Sequence, residues 1–152
     1  MRVIVAIVGR DRAGPGRDLF QEYAKRCPWP IDLMSVAPRR ISPTARRLAD
    51  EGERLLRAVP EGATLVALDE RGHELDSRAF ARRIDRWQNE GTGVVAFAIG
   101  GPDGLAPAVL KRAELVLALG PMTWPHELAR VMLAEQLYRA GALLAGHPYH
   151  RE

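Results

Sequence analysis

Val94-Val-Ala-Phe-Ala-Ile99 runs directly into Gly100-Gly-Pro-Asp-Gly-Leu105. An unbroken apolar run this short, stopped by glycine and proline, has no polar alternation, so it reads as a strand covered on both faces. Such strands belong to parallel sheets packed between helices. Working outward, short apolar runs predict further strands near 2–8, 31–37, 63–69 and 115–119, with this one at 93–99.

Helical patterns fall between these runs. Residues 44–58 bring Leu48, Leu55 and Leu56, with Val59 just beyond, onto one face, and 77–90 does the same with Phe80, Ile84 and Trp87. Ser77 suits the position that caps the second of these. A last helix starts near Pro125, a residue tolerated where a helix begins. Its Leu128, Val131, Met132, Leu137 and Tyr138 occupy more than one stripe, so one face can pack on the sheet and another on a second subunit. No repeat, low-complexity tract or long linker divides the chain, which reads as one α/β domain over 1–152 with helices on both faces of a parallel sheet.

Composition narrows the function classes. The 152 residues include one cysteine, Cys27, which excludes an internal disulfide and a cysteine-based zinc site and fits a reducing cytoplasm. The apolar run Val3–Val8 is too short to span a membrane or act as a secretion signal. The net charge of +3 is unevenly spread: residues 1–47 carry ten Lys/Arg against four Asp/Glu, and the remainder twelve against fifteen. Arg39, Arg40, Arg46 and Arg47 flank a proline-punctuated loop without interleaved aromatics, a pattern suited to phosphate attraction rather than base stacking.

Common nucleotide and hydrolase motifs are absent. Gly9 and Gly14 have the spacing of a phosphate loop, but Pro15 stands where its lysine is required, and no G-x-G-x-x-G follows the first strand. No local Ser or Cys nucleophile motif is present, and His147 and His150 lack acidic or cysteine partners at metal-ligand spacing, so no metal is expected. The Gly100 loop and Leu119-Gly-Pro-Met-Thr-Trp124 follow strands that look adjacent, and together they could line one pocket at the strands' C-terminal ends. From these features alone, a non-catalytic nucleotide- or RNA-binding module stays open beside an enzyme.

Ile99-Gly-Gly-Pro-Asp-Gly-Leu105, Met122-Thr-Trp-Pro-His126, Glu135-Gln-Leu-Tyr-Arg139 and His147-Pro-Tyr-His-Arg-Glu152, in this order, resemble the RlmH family of SPOUT-class methyltransferases. The resemblance covers essentially the whole chain. It implies a homodimer with a C-terminal trefoil knot, acting in the cytoplasm on N3 of pseudouridine in helix 69 of 23S rRNA within the ribosome. The cofactor it implies is S-adenosyl-L-methionine, at positions matching Leu68, Gly100, Leu119, Gly120, Pro121, Met122, Thr123 and Trp124.

Tyr149, His150 and Arg151 then become the catalytic candidates, holding the target base and its phosphate. Because an unperturbed imidazole has a pKa of about 6.5, His150 could take the N3 proton, or it could only hydrogen-bond the RNA. His126 could orient the cofactor loop or serve as a structural hydrogen-bonder. Arg130 could reach RNA or a partner subunit. Glu135 and Arg139 have the spacing of a helix-face ion pair.

Overall fold

The computed structural model describes residues 1–146. Five strands, β1 (Arg2–Val8), β2 (Ile31–Val36), β3 (Thr64–Glu74), β4 (Val94–Ile99) and β5 (Leu115–Ala118), alternate with α1 (Pro15–Arg26), α2 (Thr44–Ala58), α3 (Ser77–Asn89), α4 (Pro107–Arg112) and α5 (His126–Leu144). The sheet order is β2-β1-β4-β3-β5, with every pairing parallel. All loops that follow strands therefore leave from one edge of the sheet. The register aligns that edge: Ser35, Ile7, Ile99, Leu68 and Leu117 are successive partners in one row across all five strands.

Alternation along the strands creates two cores. Val3, Val5, Ile7, Val95, Phe97 and Ile99 face α1, α3 and α5, whereas Ile4, Ala6, Val8, Ala96 and Ala98 face α2 and α4. The division in β4 is one of size, with bulky residues toward three helices and alanines toward two. Small residues also bring α2 close to the segment that opens α4, where a Cβ added to Gly52 would lie 2.6 Å from that of Ala106.

Three sequence expectations are corrected. The strands before the Gly100 and Gly120 loops are not adjacent, because β3 lies between β4 and β5. The strand expected near 63–69 does not end there: the register slips between Leu68 and His73, both of which pair with Leu117, so Asp69–Gly72 bulge out and β3 resumes to Glu74. The cap of α3 is Asp76, whose carboxylate accepts from the Ala79 amide at 2.7 Å, while Ser77 is the first helical residue and donates to Gln136 on α5 at 2.7 Å.

The apolar face of α3 is buried as expected, and Trp87 and Trp29 are packing residues. Trp87 also donates its indole N–H to Glu114 at 2.9 Å, which satisfies its one polar atom. On α5, Val131, Leu133, Ala134 and Leu137 are buried, but Leu128 remains exposed on the other stripe and Leu144 is exposed at the helix's end. Arg139 bonds Glu135 through Nε at 2.9 Å, the expected helix-face pair.

Candidate functional site

The aligned strand ends set the floor of a cleft. Ile99, Leu68 and Leu117 stand side by side in the register row, and the chain after each departs over the same edge. Asp69–Arg71, Gly100–Gly104 and Leu119–Trp124 then wall a space of about 420 Å³, within the usual size of small-molecule sites. Position beyond the C-terminal ends of parallel strands is also where open α/β sheets hold ligands.

Local chemistry shapes each wall. In Gly101-Pro-Asp-Gly104 the amide of Gly104 bonds the Gly101 carbonyl at 3.0 Å, with proline and glycine where a tight turn favours them. Gly100 admits no other residue without movement, since a Cβ there would lie 2.4 Å from the Gly104 carbonyl oxygen. Asp103 accepts an ion pair from Arg47 on α2, which also lies 3.4 Å from Glu51, so the turn is anchored to a neighbouring helix.

In the β3 bulge, Arg71 folds back on Asp69. Its backbone N–H donates at 2.8 Å, and its Nε and Nη2 at 3.1 Å. These bonds to Arg71 hold the Asp69 carboxyl below its ordinary range, partly opposed by burial. The third wall turns at Gly120, whose φ of 101° favours glycine. Trp124 donates its indole N–H to the Leu119 carbonyl at 3.3 Å, closing that loop on itself, and Thr123 donates to Glu70. Met122 is 70 % exposed and Trp124 41 %, so two large apolar side chains stand at the mouth.

Of the residues singled out from sequence, Leu68, Gly100, Leu119, Gly120, Met122, Thr123 and Trp124 line this cleft, and Pro121 lies in the same loop without lining it. Tyr149, His150 and Arg151 lie outside the described residues. No group of three or more His, Cys, Asp or Glu among the described residues could hold a metal ion. No described helix is long and apolar enough to cross a membrane.

Beside the cleft lies a polar cluster that sequence reading missed. Arg130, expected at the surface, is fully buried and donates to Asp11 at 2.9 Å, with its guanidinium 5.9 Å from the Phe20 ring centre. Arg17 is 3.6 Å from the same carboxylate. The His126 ring covers Gly9, where an added Cβ would fall 2.7 Å from Nε2. Burial lowers the His126 pKa, with Glu127 opposing and Arg130 reinforcing the shift. His126 Nδ1 and Arg130 Nε and Nη2 are buried without a hydrogen-bond partner among the described residues. The signal for this cluster was weak, because its members come from opposite ends of the chain.

A doubly covered parallel sheet with a cleft of small-molecule size, built from three post-strand loops, places the chain among α/β proteins of the open parallel-sheet class. Comparison with known proteins specifies it further. Residues 1–150 match the family described as "Predicted SPOUT methyltransferase". The chain is 56 % identical over 151 residues to ribosomal RNA large subunit methyltransferase H of Rhodospirillum centenum, covering 99 % of each chain. It is 50 % identical over 159 residues to the same-named protein of Brucella anthropi, again covering 99 % of each.

Two solved structures share the fold. A probable methylase family protein from Haemophilus influenzae has a TM-score of 0.62 at 12 % identity, covering 99 % of this chain and 70 % of its own. A probable methyltransferase from Bordetella pertussis has a TM-score of 0.59 at 19 % identity, covering 91 % and 95 %. The chain belongs to the SPOUT methyltransferase family.

Proposed function

We propose that this chain, as one SPOUT domain over 1–152, methylates N3 of pseudouridine in helix 69 of 23S rRNA on the assembled ribosome. The methyl donor in this reading is S-adenosyl-L-methionine, and the setting is the bacterial cytoplasm. The observation that carries the reading is the convergence of Leu68, the Gly100–Gly104 turn and Leu119–Trp124 on one cleft. Support for the RNA substrate comes from relatives named large subunit rRNA methyltransferases, matched over nearly their whole length.

The cleft suits the proposed donor. Leu68, Ile99, Leu117, Leu119 and Met122 offer apolar walls for a nucleoside, and the absence of a Cβ at Gly100 leaves the backbone open to close approach. Of the carboxylates at the cleft, Asp69 and Asp103 are paired with Arg71 and Arg47, which leaves Glu70, held by Thr123, as the one without a cationic partner among the described residues. When bound, the sulfonium supplies an activated methyl group with a good leaving group, so the protein's task is positioning and the handling of one proton.

Leu68 and Leu119–Trp124 hold the donor side of the reaction, and Trp124 braces its own loop through the Leu119 carbonyl. Tyr149, His150 and Arg151 are assigned to the acceptor, with Arg151 toward phosphate and Tyr149 and His150 toward the base. His126 is assigned to holding the start of α5, because its ring packs on Gly9 rather than into the cleft.

A homodimer is part of the same proposal. Leu19 and Tyr23 of α1, Leu75, and Met132 of α5 line a second groove of about 620 Å³ that a second copy would cover. A trefoil knot is part of the proposal as what the family implies, and it is compatible with the path of the chain. It leaves β5 at the edge of the sheet, yet His126 packs on Gly9 at the end of β1, so the intervening segment crosses the ends of β3 and β4 beside the Gly100 turn. Knots are rare exceptions to ordinary chain topology.

Calorimetry with S-adenosyl-L-methionine, followed by methyl transfer to ribosomes lacking the modification, tests the reading. Binding and incorporation of one methyl group per target are expected. Absence of cofactor binding overturns the enzyme assignment, and binding without transfer leaves a non-catalytic module.

A further inference from the structure

The positive charge that the sequence concentrates in residues 1–47 is drawn closer together in space. Val8 and Val36 are register partners, so the loops after β1 and β2 leave the sheet side by side, on the edge that carries the cleft. The first loop brings Arg10 and Arg12, and the second brings Arg40 and leads to Arg46 in the first turn of α2. All four are exposed, and none makes an ion pair or side-chain hydrogen bond among the described residues.

Their neighbours are already engaged: Arg39 with Asp50 at 3.1 Å, Arg47 with Asp103 and Glu51, and Arg17 near Asp11. The Arg47–Asp103 pair joins this rim directly to the cleft, because Asp103 lines it. Gly101 approaches the end of β1, with an added Cβ 3.4 Å from Val8 Cγ1, so the first loop also starts at the cleft's margin.

Across the cleft the charge reverses. On the β3 side, Asp69, Glu70, Glu74 and Asp76 outnumber Arg71 and Arg78, and Arg71 is committed to Asp69. A polyanion is therefore attracted to one rim and repelled by the other.

We infer that Arg10, Arg12, Arg40 and Arg46 form a phosphate-tracking rim through which substrate RNA enters, with its backbone on the β1–β2 side of the cleft. Guanidinium groups left free of carboxylates suit this role, since they can bind phosphate without first breaking an ion pair. The rim has no interleaved aromatics, so it gives attraction and orientation while leaving base choice to the cleft. This inference rests on the methyltransferase reading for the identity of the RNA.

The test is equilibrium binding of the full chain to ribosomes lacking the methyl group, measured across 50 to 200 mM salt. Each single Arg→Gln variant should lower the slope of log affinity against log salt by about 0.7 to 0.9, and the quadruple variant by about 2.8 to 3.6. Four lost phosphate contacts correspond to roughly a 50- to 150-fold difference in how steeply affinity falls across that range.

Arg82→Gln and Arg86→Gln, exposed on α3 away from this rim, should leave the slope unchanged. Affinity for S-adenosyl-L-methionine should be the same in every variant. A quadruple variant with the wild-type slope overturns the rim even if the protein methylates RNA. A reduced slope in a protein that transfers no methyl group supports the rim and defeats the methyltransferase reading separately.

Discussion

Arg130 in α5 donates to Asp11 in the loop after β1 at 2.9 Å, joining positions 119 apart in the chain. Arg130 is wholly buried, while the Asp11 side chain keeps 28 % exposure. Removing the carboxylate would strand a cation in the interior. Asp11→Ala should therefore cost about 3 kcal/mol, toward the lower end for broken buried pairs because Asp11 retains contact with water. Adding Arg130→Met should recover much of that loss. Urea denaturation of the two single variants and the double variant checks this, and simple additivity would contradict it.

The His126 imidazole gives a pH dependence with a definite sign. Burial depresses its pKa in the folded chain, so the unfolded chain binds that proton more readily. Its contribution to stability is present above the unfolded value of about 6.5 and is lost as pH falls through the folded value. Melting temperature should drop between pH 7.5 and 5.0, and His126→Gln should flatten part of that drop. An identical profile in the variant would assign the acid sensitivity to other groups.

Adjacent glycines at the cleft should respond differently to alanine. Gly100→Ala drives a Cβ into the Gly104 backbone, whereas Gly101→Ala meets only the Val8 side chain at 3.4 Å. Calorimetric affinity for S-adenosyl-L-methionine should fall by about tenfold or more in the first, about 1.4 kcal/mol, and by much less in the second. Equal losses would show that the turn is not held as tightly as its geometry implies.

The proposed subunit contact can be broken without touching the cleft. Leu128→Glu and Met132→Glu place charge on the outer stripe of α5, beside the groove that Met132 lines. Sedimentation should show a dimer for the wild type and a monomer for the double variant. A wild-type monomer would remove the dimer from the proposal.

For the tail, His150→Ala should lower turnover at saturating RNA if the imidazole accepts the N3 proton. The loss should be about 10²-fold or more, the usual contribution of a positioned base. Turnover near wild type with a raised RNA requirement assigns His150 to binding alone.

Sequence patterns reveal different parts of this molecule with different clarity. Val94–Ile99 announces a buried strand because six apolar residues report burial on both faces without reference to anything distant. The bounds of α2, Thr44–Ala58, follow equally from local periodicity. Asp76 and Ser77 compete as caps, and which one accepts from Ala79 depends on the angle of entry and on Gln136 from another helix.

Strand order was less legible. Apolar runs show that β4 and β5 exist, but not that β3 intervenes, because chain order carries little of the spatial order of parallel strands. Arg130 was misjudged for a related reason: arginine is ordinarily a surface residue, and the carboxylate that permits its burial lies in a remote loop. The cleft loops stood out through their glycines and prolines, whereas at Asp69–Gly72 the apolar run ends as it would at any strand terminus, so the bulge and the strand's return were not legible.

The register row Ile99–Leu68–Leu117 makes the cleft a property of the completed chain. Its walls come from three separated segments, and the helix continuing from the last wall is secured by Asp11 near the start. Neither the N-terminal nor the C-terminal half of the sequence contains the whole binding surface. Occupancy and global folding are consequently one linked equilibrium: a ligand at 100 times its dissociation constant adds about 2.7 kcal/mol to the free energy of global unfolding, and so protects elements it never touches wherever they open only with the whole domain.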